Sequence, residues 1–113
     1  MVTYMDKTFD LVISCFAFHH LTDDEKEASV KEMKKALKEN GRIVIGDLMY
    51  LNNACKEKLI EKFKNENRYD VIEDMEEENF TNIEWFKVKL NENGFSTEHS
   101  QVSTLSWVLK ATL

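Results

Sequence analysis

The sequence lacks proline altogether, and it has no internal repeat and no low-complexity linker. Nothing therefore divides the 113 residues, which read as one domain or part of one. Cysteine is scarce: Cys15 and Cys55 are the only two and have no metal-ligand spacing. They read as reduced core residues of a cytosolic protein. No apolar run approaches the roughly 20 residues needed to span a bilayer. The first residues, Met1-Val2-Thr3-Tyr4-Met5-Asp6-Lys7, lack the charged-then-apolar layout of a signal peptide and read as a loose lead-in. Positive charge is outweighed, leaving a net charge of −6. That argues against a nucleic-acid surface, because phosphate binding needs a local cationic field. Hydrophobic residues make up 42% of the chain, enough for a modest core.

The organising stretch is Phe9-Asp10-Leu11-Val12-Ile13-Ser14-Cys15-Phe16-Ala17-Phe18-His19-His20-Leu21. Leu11 to Phe16 is apolar except for Ser14. It predicts a strand over 9–16 with both faces covered, as in a parallel sheet. Thr22-Asp23-Asp24-Glu25 follows as a capping box. It opens a helix over 23–38 whose apolar stripe is Val30, Met33, Ala36 and Leu37. Asn40-Gly41 is a stop, with Gly41 supplying the left-handed conformation. Arg42-Ile43-Val44-Ile45-Gly46-Asp47 is the next strand, a parallel neighbour of the first.

Asn53 is placed to cap a helix over 54–65, with Cys55, Leu59, Ile60 and Phe63 on one side. An acidic helix over 69–77 turns Val71, Ile72 and Met75 inward. The run Glu73-Asp74-Met75-Glu76-Glu77-Glu78 reads as a solvated face, since its carboxylates lack a fixed loop geometry for a metal. Thr81-Asn82-Ile83-Glu84 reads as a further capping box, starting a helix with core residues Ile83, Phe86 and Leu90. Asn93-Gly94 ends it. Residues 95–101 and 105–112 are two strands of an antiparallel hairpin. The order is that of an α/β chain ending in a hairpin.

Phe9-Asp10…Ala17-Phe18-His19-His20-Leu21-Thr22, then Asn40-Gly41 and Ile43-Val44-Ile45-Gly46-Asp47, resemble the second half of class I S-adenosylmethionine-dependent methyltransferases, closest to small bacterial ones of unassigned substrate. The resemblance runs along the whole chain. It implies a partial Rossmann-like sheet, two parallel strands plus the hairpin, and methyl transfer to a small-molecule acceptor. The family's cofactor is held mainly by a first half with a Gly-rich loop. This chain has only Gly41, Gly46 and Gly94, and none forms such a loop. The expectation is thus a truncated methyltransferase, inactive alone. The alternative is a non-catalytic module that self-associates or binds a partner.

The resemblance implies that Cys15, Phe16, Ala17 and His20 line the cofactor S-adenosylmethionine and that His19 faces the acceptor; Asp47, ending its strand on the same edge of the sheet, reads either as facing the acceptor or as capping a turn. Phe16 would give a sulfonium cation an aromatic wall. His19 or His20 is the candidate general base, because imidazole titrates near neutrality. The competing reading has one histidine packed and hydrogen-bonded to the following helix and the other at the surface. No metal is expected, since adjacent residues on an extended segment point apart. His99, Trp85 and Trp107 are read as structural. With the strand normally beside Leu11–Phe16 missing, that edge is bare, as is the sheet face opposite the two crossover helices. A homodimer through the edge or the bare face is expected.

Overall fold

The computed structural model describes residues 9–113, so the lead-in over residues 1–8 lies outside the described residues. β1 (Phe9–Cys15) leads through a 3-10 turn (Phe18–His20) to α1 (Asp23–Ala36) and β2 (Leu37–Tyr50). Then come α2 (Asn53–Asn65), α3 (Tyr69–Glu77), a two-residue β3 (Thr81–Asn82) and α4 (Ile83–Glu92). The hairpin β4 (Ser96–Gln101) and β5 (Ser106–Thr112) closes the chain. The sheet order is β1-β2-β5-β4, with β3 beside the end of β2. β1 runs parallel to β2, pairing Val12 with Ile43 and Cys15 with Gly46. β5 runs antiparallel to β2 on its other side, pairing Ile45 with Leu109. The α/β architecture read from the sequence is the one the chain adopts.

One face of this sheet is the core. Ile43, Ile45, Leu109 and Ala111 alternate inward and are fully buried. Val30 and Met33 of α1 and Ile83, Phe86 and Leu90 of α4 pack on them in a single cluster. A second cluster joins α2 and α3 to the end of β2 through Tyr50, Phe63, Met75 and Phe80, with Leu48 and Leu105 alongside.

Four local expectations are corrected. β1 is not covered on both faces: its outer face leaves Leu11 40% and Ile13 62% exposed, and among the described residues β2 is the one strand beside it. Phe16 N–H donates to Gly46 O at 2.8 Å. Backbone alternation therefore turns the amides of Ile13 and Cys15 to the open edge. Second, α1 stops at Ala36, two residues before Lys38, and Leu37 already pairs with Phe9. The left-handed residue is Asn40 (φ 62°), which asparagine tolerates, and not Gly41. Gly41 is needed for space instead, since a Cβ there would lie 2.8 Å from Lys38 O. Third, α2 is capped by Asn52 and not Asn53: its Oδ1 accepts from Cys55 N–H at 2.9 Å. Fourth, Asn82 and not Thr81 caps α4, accepting from Trp85 N–H at 3.1 Å, because Thr81 is held in β3 beside Met49.

The remaining signals act as read. Thr22 Oγ1 accepts from Glu25 N–H at 3.2 Å, and Glu25 Oε1 accepts from Thr22 N–H at 2.9 Å. These bonds hold the Glu25 carboxyl below the usual carboxylate range. Gly94 leaves α4 with φ +89°, a conformation suited to glycine. No helix among the described residues is long and apolar enough to cross a membrane.

Candidate functional site

The parallel pairing of β1 and β2 brings their carboxyl ends side by side. Ligands of open α/β sheets bind beyond such ends. The 3-10 turn after β1 presents His19, and the last third of β2 presents Asp47. His19 Nδ1 lies 2.7 Å from Asp47 Oδ1. A carboxylate only accepts, so Nδ1 carries the hydrogen and Nε2 is left for other chemistry. His19 N–H also donates to Asp47 Oδ2 at 3.1 Å, and Leu48 N–H donates to Asp47 Oδ1 at 2.7 Å. Both carboxylate oxygens are thus engaged within the chain. Asp47 is 1% exposed and His19 7% exposed. Asp47 therefore reaches any bound molecule only through His19. The histidine that packs does so on Asp47 of β2 rather than on the helix that follows it.

His20 is the exposed member of the pair. Its ring centroid lies 3.9 Å from that of His19, tilted by 43°. His20 N–H donates to Ala17 O at 3.2 Å, which fixes the backbone of the turn. Its imidazole makes no hydrogen bond or ion pair among the described residues, only the contact with the His19 ring. Cys15, Phe16 and Ala17 are all exposed at the end of β1. Phe16 takes φ 54°, and its ring is 58% exposed. A positive φ at an aromatic residue is strained, and strain of this kind gathers at functional turns. No sequence signal marks it.

The sequence reading also missed Lys26. It is fully buried, and its Nζ donates to Asn79 O at 2.5 Å. Asn79 N–H in turn donates to His19 O at 2.9 Å. Asn79 is thereby held from both sides, and the exit of α3 is fixed on the histidine turn. Burial pushes the Lys26 ammonium below its ordinary pKa, with Asp23 and Asp47 acting in the opposite direction. The signal existed: Lys26, Val30 and Met33 share helical spacing, so Lys26 lies on the buried stripe of α1. Glu78 and Phe80 complete the surroundings. Glu78 Oε2 is 3.9 Å from His19 Nε2, and the Phe80 ring meets the imidazole edge-on at 6.4 Å. His99 is far along the hairpin, its ring 5.8 Å from Trp107, and takes no part in this cluster.

The methyltransferase-domain family matches residues 1–45, the segment that carries β1, the histidine turn, α1 and the start of the regular part of β2. An uncharacterised methyltransferase of Bacillus pumilus is 34% identical over 102 residues, covering 90% of this chain and 48% of the relative. One from Staphylococcus carnosus is 32% identical over 103 residues, covering 91% and 50% respectively. The chain is thus similar to one part of these curated methyltransferases. It spans about half the length of the curated methyltransferases it matches. The methyltransferase fold is equally plain in solved structures. A possible histamine N-methyltransferase from Thermotoga maritima superposes with TM-score 0.63 at 16% identity, covering 99% of this chain and 59% of its own. An S-adenosylmethionine-dependent methyltransferase from Mesorhizobium loti gives TM-score 0.67 at 12% identity, with 100% and 65% covered.

Both of these solved structures are named as S-adenosylmethionine-dependent, and the exposed end of β1 is where this chain could offer one wall to that cofactor. Phe16 is an exposed aromatic residue, with exposed Cys15 and Ala17 beside it at the strand end. The other wall is not supplied by the described glycines. Gly41 and Gly46 lie inside β2, and Gly94 follows α4, so none opens a turn after a strand.

Proposed function

We propose that this chain is the acceptor-side part of a methyltransferase that moves a methyl group to a small molecule, and that it needs a separate cofactor-holding part to act. The observation that carries the reading is the 2.7 Å bond from His19 Nδ1 to Asp47, which ties together the carboxyl ends of the two parallel strands. When bound, S-adenosylmethionine supplies the activated methyl group. Phe16 and the backbone of Cys15 to Ala17 form the wall against it. His19 and Asp47 are positioning residues that fix the turn. His20, whose exposed imidazole has no hydrogen-bond partner among the described residues, takes the proton from the acceptor's nucleophile. Proton removal matters where that nucleophile is poor, and the main remaining need is alignment.

The proposal includes a partner. The open edge of β1 takes the cofactor-holding part when it is present and a second copy of this chain when it is not. Four of the large apolar side chains that are most exposed, Phe9, Leu11, Ile13 and Phe16, lie on this one segment. Proteins seldom leave such an edge unguarded.

Calorimetric titration with S-adenosylhomocysteine tests the reading. This chain is titrated alone and after mixing with the half of the Bacillus pumilus relative that it does not match. The expected result is binding by the mixture and by neither part alone. Failure of the mixture to bind, while the two parts sediment together, would overturn the catalytic reading and leave only a partner-binding module. The site assignment is read in the same mixture. His20→Ala slows transfer without weakening S-adenosylhomocysteine binding, whereas Phe16→Ala weakens binding.

A further inference from the structure

A cavity of about 300 Å³ lies between α2 and the turn end of the β4–β5 hairpin, apart from the His19–Asp47 pair. Its walls include the aromatic rings of Tyr50 and Trp107 and the side chains of Leu59 and Cys55. Its charged lining is Lys58 and Lys62, with no carboxylate among the lining residues. That is a local inversion in a chain of net charge −6. Lys62 is already engaged, with Nζ 2.9 Å from Glu66 Oε2 and 5.1 Å from the centre of the Phe63 ring. Lys58 has no ion pair or hydrogen bond among the described residues. Ligand pockets combine apolar walls with a few placed polar groups, and this volume is at the small end of their range.

We propose that this cavity binds a small anion with a flat apolar body, such as an aromatic carboxylate. The ring would lie against Tyr50 and Trp107, and the carboxylate would pair with Lys58. A flat ring suits two aromatic walls, because offset and edge-to-face contacts add to the burial of area. A single negative charge suits Lys58, whose ammonium has no ion pair among the described residues. The site stands on its own lining and does not depend on the methyl-transfer reading.

The two cysteines provide the test and its control. Cys55 lines the cavity, whereas Cys15 is exposed on β1. Alkylation of each by iodoacetamide is followed by mass spectrometry, with 1-naphthoate and uncharged 1-naphthamide as probes. Naphthoate is expected to slow alkylation of Cys55 and leave Cys15 unchanged. Naphthamide is expected to need about five-fold more, the size of one partly exposed ion pair. Lys58→Glu should abolish that difference, and its exposed position leaves the fold intact, as circular dichroism would confirm. An unchanged Cys55 rate with naphthoate overturns the proposal. So does equal slowing of both cysteines, or equal protection by the amide.

Discussion

The two faces of the β1–β2 pair are built from alternate residues of the same strands, yet they have opposite surroundings. Ile43 and Ile45 look inward and are fully buried under α1 and α4. Leu11 and Ile13 look the other way and are 40% and 62% exposed. Both sets are equally apolar, so hydrophobicity alone does not explain the difference. What differs is whether a helix of this chain reaches the face. The inward set holds the fold together; the outward set is surface without a cover, at the strand end that carries the candidate site. Contiguous apolar surface of this sort marks interaction sites.

The comparison is sharpened most by paired truncations. Phe86→Ala, on the covered side and fully buried, should cost about 3–5 kcal/mol in urea unfolding. Ile13→Ala, on the open side, should change the stability of the dilute monomer by no more than about 0.5 kcal/mol. It should nevertheless weaken self-association measured by sedimentation. Equal losses of stability at the two positions would break the comparison.

A smaller effect is expected at the end of the covered face. Asp47→Ala strands the Nδ1–H and backbone N–H of His19 and the N–H of Leu48. A buried donor without a partner costs about 1–3 kcal/mol, so Asp47→Ala should destabilise clearly while Asp10→Ala, on exposed β1, should not. Chemical denaturation of the two variants checks this.

The smallest effect is a pH slope from Lys26. Its pKa is lowered in the folded chain by burial, against the ordinary value in the unfolded chain. Between those two values the unfolded state binds more protons, so stability rises with pH. The rise is complete only near the ordinary lysine value. Urea midpoints measured as the pH is raised toward the ordinary lysine value should climb in the natural chain and stay flatter in Lys26→Met. Tyr50 acts with the opposite sign above its own ordinary pKa, because burial raises it in the folded chain.

Much of the fold is legible in the residues. Capping at Thr22 and the stop at Gly94 are local chemistry, and each acts as its residue type suggests. The stripes Val30–Met33 and Ile83–Phe86–Leu90 point to the core because helical spacing alone decides their face. The errors cluster where tertiary contacts overrule a local preference. Thr81 has the right residue type for a cap, but pairing with Met49 takes it into β3 and leaves its hydroxyl without a partner. Asn40 rather than Gly41 takes the left-handed turn, and Gly41 is needed for the space in which a Cβ would meet Lys38 O. In the site, His19, His20 and Asp47 stand out as polar residues at strand ends. Which histidine is buried, and that Asp47 is wholly occupied by it, depends on the register of β1 against β2, which no single segment encodes. Lys26 was readable from its spacing, but its partner is a backbone carbonyl 53 residues away.

Amide hydrogen exchange along β1 tests most directly that its outer edge is a seam for another strand. In dilute solution Ile13 and Cys15 should exchange much faster than Val12 and Ser14, whose amides turn toward β2. Raising the protein concentration, or adding the half of the Bacillus pumilus relative that this chain does not match, should slow exchange at Ile13 and Cys15 selectively. Exchange at these two amides that stays fast under both conditions would contradict the account.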